Sequence, residues 1–512
     1  MLQRLEASLV KFKSKIAGAI ERVLRDKLSD VINLKDFGAK GDGVTDDTDA
    51  VQLAINAAIS SKKKLGAPAG NYRMSRPIEI VIPDHYSKSG LTMVGEGRAS
   101  TIFWFPHNGD GFKVKPINEG DATYNLVLKN FDIKQVRPDG AMTEDDPVAG
   151  TSGIGLHVTS GASGLLWDNL RIAGFKQCIK FDAGAWICSF TNLSLSTCED
   201  GIIMGNMGTT LFYDNIFVYG STGKAYKLTG VYSSIGSLAC DGCTGTPYEF
   251  DYFSGSIGSL GYEAYGKDVA STIYKMTNSN IQLGHYYCIE LNRGGKFKCL
   301  FELGGTNLTL GNGVLEKGDD TNTNLPGQYM KQYRSKVNMT GKLKSDYIFA
   351  FTDASLDADA PDSTLEIDGV KFSHGNRRPF LGSNNKDAVD RIMPGKDLTM
   401  PLFLHDCYKG FARGGSTGQT DYTWVKGPSI GTWGIERRPD LTGVAAYVSL
   451  VNAESNGAAN TAQASGRIPM RMYTEQPPSS PETGAEWVRA TDKKIYTYHY
   501  GGWYDAMGNA MS

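Results

Sequence analysis

Through the middle of the chain, short apolar-rich runs recur every 22 to 24 residues: GLHV at 155–158, CIKF at 178–181, GIIM at 201–204, AYKL at 225–228 and PYEF at 247–250. Each is followed by a second run in which apolar and polar positions alternate: DNLRI at 168–172, TNLSL at 191–195, DNIFV at 214–218, GSLAC at 236–240 and GSLGY at 258–262. Alternation with period two marks a strand with one buried face. A fixed repeat of short strands and turns, without helices between them, predicts a β-solenoid whose rungs stack at strand spacing, roughly 4.8 Å.

Three columns support that register. Asn130, Asn169, Asn192 and Asn215 align, continue as Ser237 and Ser259, and return as Asn280 and Asn307. Stacked asparagines at a bend suit the left-handed backbone conformation. Beside them Leu170, Leu193, Ile216, Leu238 and Leu260 form an inward ladder, and so do Ile172, Leu195, Val218, Cys240 and Tyr262. The next residue of each rung then points outward: Lys134, Ala173, Ser196, Tyr219, Asp241, Glu263 and Gly284. The words SIGSLACD and SIGSLGYE at 234 and 256 therefore put Asp241 and Glu263 on neighbouring rungs of the outer wall. Two carboxylates one rung apart do not ionise independently, so one keeps its proton while the other is an anion. That pairing suits glycosidic cleavage. Tyr219, Tyr265 and Lys267 are candidates for a sugar platform and a hydrogen-bond donor, with Glu199 and Asp200 in a turn beside the same wall. A solvated pair of surface acids beside Lys267 is the plainer reading.

Other acids compete. Glu249 and Asp251 share an outward face, and Asp182 shares Asp251's column, but Lys180, Lys227 and Lys275 line the Glu249 column and suggest a ladder of ion pairs. Asp168 and Asp214 precede the asparagine column and read as turn supports. Trp167, Phe190 and Tyr213 share an inward column, whereas Trp186 stands outside it. The rhythm breaks between Gln135 and Gly153, where an insertion is placed to wall a groove over the acid pair. A lyase is an open alternative, with His285, Tyr286 and Arg293 as candidate bases just beyond Glu263. A serine hydrolase is not supported, since no GxSxG elbow occurs.

At the N-terminus Leu2, Leu5, Leu9, Phe12, Ile16, Ala19 and Val23 follow three-four spacing among charged residues, which predicts an amphipathic helix over 1–28, either a coiled-coil seam or a helix on its own body. Residues 31–58 read as a strand, a Gly-rich turn and a helix with Ala50, Leu53, Ala54 and Ala57 on one face. The turn GAKGDG fits neither phosphate fingerprint, so its glycines read as backbone geometry and its carboxylates as capping groups.

The stretch FGAKGDGVTDDTDAVQLAINAA with APAGNYRMS after it resembles the opening of the pectate-lyase-like right-handed β-helix superfamily. RDKLSDVINLKDFGAKGDG resembles the neck of bacteriophage tailspike depolymerases. This resemblance implies a homotrimer on the virion tail that acts outside the cell on capsular or O-antigen polysaccharide. The chain starts at the neck, so attachment is expected through a baseplate or adaptor protein or through the short helix. TGAEWVRATDKKIYTYHYGGWYDAMG reads as a hairpin and resembles the tips of phage tail fibres.

Composition narrows the choice. Sixty-one glycines and 40% hydrophobic residues fit a turn-rich all-β protein. A net charge of −2 gives no reason to expect nucleic acid. No apolar run spans a membrane, and the charged N-terminus is not a secretory signal. The eight cysteines, Cys240 and Cys243 among them, are too sparse for a disulfide scaffold and read as reduced structural thiols. Histidine and cysteine spacing suggests no metal site, and no cofactor is expected.

The expected architecture is all-β: a helical neck over 1–30, a right-handed parallel β-helix over 31–395 carrying the groove, a β-rich domain over 396–475 for trimerisation or carbohydrate binding, and a hairpin tip over 476–512. The expected function is endo-glycosidic hydrolysis of bacterial surface polysaccharide by Asp241 and Glu263. Alternatives are a polysaccharide lyase, a non-catalytic receptor-binding protein and a cellular pectinase-like enzyme.

Overall fold

A computed structural model describes residues 10–82, 90–135 and 152–322, and beyond them separate segments, most of them strands, that end at 505. The chain divides into two units. One holds residues 1–297 with 306–311 and 318–320; the other holds the remainder.

The first unit is a parallel β-solenoid. Each rung has a short strand, such as Ile154–Val158, Gln177–Phe181 or Asp200–Met204, and a long bent one, such as Leu166–Ala173, Ala185–Ser196 or Thr209–Tyr219. Every one of these strands pairs in parallel with its equivalent one rung away. The bend falls at the asparagine column. Asn130, Asn169, Asn192 and Asn215 have φ of 63°, 54°, 56° and 51°. Asn169 donates to Asn130 at 3.0 Å and Asn215 to Asn192 at 2.7 Å, so the side-chain amides hold the corner that their backbones tolerate. Asp168 accepts from Thr191 and Asn192, and Asp214 from the amides of Asn215 and Ser237.

Inside the solenoid, rings stack from rung to rung. Trp167, Phe190 and Tyr213 follow one another at 5.1 and 5.2 Å between centroids, and Tyr226, Tyr248 and Tyr274 at 5.1 and 5.2 Å. Seven cysteines among the described residues are buried and unlinked. Two polar clamps tie rungs together. His157 lies 2.8 Å from Asp110 through one ring nitrogen and 2.8 Å from Asp182 through the other. Arg171 grips the fully buried Asp132, which also has Lys134 at 3.5 Å.

At the solenoid's start, helix Thr48–Ser61 packs on strands Val31–Asn33, Lys64–Ala67 and Ile78–Ile82. Its buried face is Val51, Ala54, Ile55, Ala58 and Ile59, and Leu53 is exposed. The expected face was offset because small alanines gave a weaker guide than the β-branched residues that fill the core. Burying Val51, Ile55 and Ile59 contributes about 2 kcal/mol each. Asp47 stands at the helix N-cap but makes no side-chain capping bond there; its carboxylate instead holds the GAKGDG turn by accepting the amides of Lys40 and Gly41. Asp42 accepts those of Thr45 and Val44, which pull its carboxyl down to about 2.

The neck departs from expectation. Residues 1–9 lie outside the described residues. Beyond them, Lys11–Lys13 and Glu21–Val23 pair as antiparallel strands, and the only helix before Val31 among the described residues is Leu24–Leu28. A lone amphipathic helix draws its stability from a partner surface. A single chain supplies no second seam, and Ile16 and Ile20 are left 76% and 77% exposed.

In the second unit, Cys299–Gly304 pairs in parallel with Gln328–Tyr333, and Lys336–Met339 with Ser363–Ile367. The last of these also pairs antiparallel with Val370–His374. Asp421–Lys426, Thr432–Arg437 and Leu450–Ala453 form an antiparallel sheet. Near the end, Ile495–His499 pairs antiparallel with both Glu486–Arg489 and Gly502–Asp505.

Candidate active site

The strands Lys224–Asp241 and Thr246–Glu263 end the two SIGSL rungs. Their register pairs Ile235 with Ile257, Leu238 with Leu260 and Asp241 with Glu263, and Tyr219 pairs with Asp241 on the other side. Cys240 and Tyr262 are buried, so the acids that follow them face out. Asp241 is half-buried, and its carboxyl is pushed up to about 6, first by desolvation and then by the charge of Glu263.

The turn after each strand shapes the surroundings. Gly242 has φ +61°, and a Cβ there would sit 3.5 Å from the Lys267 side chain and 3.9 Å from the Tyr219 ring. The left-handed backbone is what calls for glycine here; the two side chains lie at ordinary contact distance. Tyr265 is 55% exposed at φ 48°, a conformation rare for a bulky residue. Its ring meets Tyr219 edge-on at 5.8 Å. Glu290, one rung on, accepts the Gly266 amide at 3.2 Å and binds Arg293 at 3.0 Å. Tyr219, Asp241, Glu263, Tyr265 and Lys267 thus occupy one patch of wall and its bordering turn.

Sequence reasoning missed the support beneath that patch. The Tyr226 hydroxyl lies 2.7 Å from the Ala239 carbonyl and 2.9 Å from that of Ile216. Tyr248 bonds in the same way to the carbonyls of Leu238 and Gly261. The tyrosine repeated in AYKL and PYEF was the available signal: a buried phenol needs an acceptor, and here the acceptor is the backbone of the acid-bearing strand. Glu290 was also missed, since its role depends on a turn one rung away.

The remaining candidates are each engaged by other partners. Glu199 faces Lys176 at 3.7 Å, and Asp200 accepts Gln177 at 2.8 Å and the Lys224 amide at 2.7 Å. Glu249 pairs with Lys224 and Lys227, and Asp251 accepts from Thr277. Beyond Glu263 the register differs from the expected one. Ser259 pairs with His285 and Glu263 with Ile289, while Asn280 pairs with Ser254, so Gly284 does not continue the acid column. Four extra residues in the turn after Glu263 shift it. Tyr286 consequently faces the core, fully buried, and Arg293 is bound to Glu290. The insertion expected to wall the groove, between Gln135 and Gly153, lies outside the described residues over 136–151.

A model of the family described as rhamnogalacturonase A/epimerase, pectate lyase-like, matches residues 31–137. The tail spike protein of an Escherichia phage is 60% identical over 75 residues, 15% of this chain and 9% of that protein. Depolymerase 1, capsule K30/K69-specific, of Klebsiella phage K5-2 is 28% identical over 282 residues, 53% of this chain and 32% of that protein. The chain thus spans under a third of the length of either relative. Among solved structures, bacteriophage CBA120 tailspike protein 2 aligns at TM-score 0.43 and 14% identity over 88% of this chain and 63% of its own. The gp42 tailspike of Acinetobacter phage vb_AbaP_AS12 aligns at 0.39 and 13% over 88% of each chain. Residues 31–137 thus resemble a pectate-lyase-like family, the described chain beyond them continues as a parallel solenoid built from its own repeat, and the proteins it is similar to include a phage tail spike protein and a phage capsule depolymerase.

Proposed function

We propose that this protein is a tailspike depolymerase that binds and hydrolyses bacterial capsular or O-antigen polysaccharide. The observation that carries the reading is the stacked pair on the outer wall: Asp241, whose carboxyl is pushed up to about 6, one rung from Glu263. Asp241 donates a proton to the leaving glycosidic oxygen. Glu263 serves as the nucleophile or as the base that activates water. Tyr219, Tyr265 and Lys267 hold the sugar beside them, and Glu199 and Asp200 border the same wall in the turn one rung before that of Tyr219. The names of two relatives, a phage tail spike protein and a capsule-specific depolymerase, support a place on the virion tail with action at the host surface; we propose in addition a homotrimer joined to the particle through a tail or adaptor protein. The strands between 421 and 453 belong to a trimerisation or carbohydrate-binding region, and the terminal hairpin forms a tip.

Incubation with a panel of purified capsular and O-antigen polysaccharides, followed by sizing of the fragments, tests this. Asp241→Asn and Glu263→Gln should each lower cleavage by about 10²-fold or more and leave binding intact. Undiminished cleavage by both variants, or a product with the ultraviolet absorbance of an unsaturated uronate, would overturn the hydrolytic pair.

A further inference from the structure

Two residues before the acid column lies a second outward column. Ser194, Phe217, Ala239, Gly261 and Tyr287 are successive partners from rung to rung. Each of the last four stands between buried neighbours: Ile216 and Val218, Leu238 and Cys240, Leu260 and Tyr262, Tyr286 and Cys288. Their side chains therefore share the outer wall with Tyr219, Asp241 and Glu263. Alanine and glycine occupy the two rungs that carry the acids, and a large ring stands on the rung at either end. The atoms nearest to a Cβ on Gly261 would be the Ala239 Cβ at 3.4 Å, its α-carbon at 3.8 Å and the Leu238 carbonyl at 4.0 Å, all ordinary contact distances. Phe217 and Tyr287 are three strand spacings apart, about 14 Å.

We infer that Phe217 and Tyr287 are two aromatic subsites that bracket a trough over Ala239 and Gly261, and that a glycan lies in it parallel to the solenoid axis within one chain. The inference rests on the proposed function for its ligand and adds the ligand's direction, length and contacts. A chain of pyranoses laid across the strands meets Phe217, then the space beside Asp241 and Glu263, then Tyr287. A chain laid along a strand meets only one of the rings. The apolar C–H face of a pyranose matches the face of an aromatic ring, and the small floor admits the sugar that lies between. Sugars are held on both sides of the acids, so the trough takes the interior of a polymer rather than its end.

The test uses the full-length Asp241→Asn protein as parent and measures its retardation in gels containing each purified polysaccharide of the panel. Phe217→Ala and Tyr287→Ala should each weaken binding about tenfold or more, and Tyr287→Phe should retain it. Gly261→Phe, which fills the trough, should abolish binding. Ala239→Phe does the same from the next rung and replaces Gly261→Phe if that variant melts early. Parental binding by the filled and the ring-deleted variants would overturn the trough, whatever the cleavage assay gives. Loss of binding in these variants, together with no cleavage by the wild type, would leave the trough standing and remove the hydrolytic function. Failure of the parent to be retarded by any polysaccharide of the panel would overturn both.

Discussion

Asp241 combines partial burial with a charged neighbour, and both raise the cost of its ionisation. Two consequences have definite signs. As a proton donor it is competent below about 6, so cleavage at limiting substrate should fall as pH rises through that value. A carboxyl raised in the folded state also lowers stability above its unfolded pKa, because the folded chain resists losing the proton. Asp241→Asn should therefore melt higher than wild type at pH 7 while losing cleavage; a lower melting temperature would show that Asp241 has a structural role. Asp132 makes the opposite case. It is fully buried, Arg171 is its main partner, and its Oδ1 has none. Arg171→Met leaves that charge with Lys134 at 3.5 Å as its one remaining cation and should cost about 3 kcal/mol in chemical denaturation. Adding Asp132→Leu should restore most of it.

Between rungs, the polar groups act as fasteners. His157 bridges Asp110 and Asp182, with Lys180 at 3.0 Å from Asp182 and Lys113 near Asp110. Burial disfavours its charge, yet hydrogen bonds to the two carboxylates prevail, and its pKa is raised above 6.5. The protonated clamp contributes fully below the unfolded imidazole pKa and is lost as pH rises through the folded one. Asp110 and Asp182 are held below the usual carboxylate value, so their share is lost only as pH falls through the acid range. The melting temperature should decline between about pH 6 and 8, and His157→Gln should flatten that decline. At the acid pair the fastener is Glu290, which holds the turn of Tyr265 and Gly266. Glu290→Ala should weaken substrate affinity more than it slows turnover, since it frees a binding ring and leaves Asp241 and Glu263 in register. A loss in turnover alone would contradict that positioning role.

For the molecule as a whole, the solenoid was legible because stacking imposes one rule at every rung. Alternation placed Leu238 on Leu260, and the next outward position followed without further information. The rule failed where geometry left the repeat. From Asp241 to Glu263 the step is 22 residues, but from Glu263 to its partner Ile289 it is 26, and composition does not mark which turn grew. The neck failed for a different reason: a heptad pattern records a surface that seeks burial, not the partner that provides it. Phe217 and Tyr287 were invisible as a pair, because 70 residues of chain separate two rings that only stacking brings to the same wall.

The seven buried, unlinked thiols among the described residues give the protein its own reporter of opening. They lie at Cys178, Cys188, Cys198, Cys240, Cys243, Cys288 and Cys299. A small alkylating reagent reaches them only when neighbouring rungs part, so the labelling order under mild denaturant, read by mass spectrometry, charts which stretch of the stack unzips first.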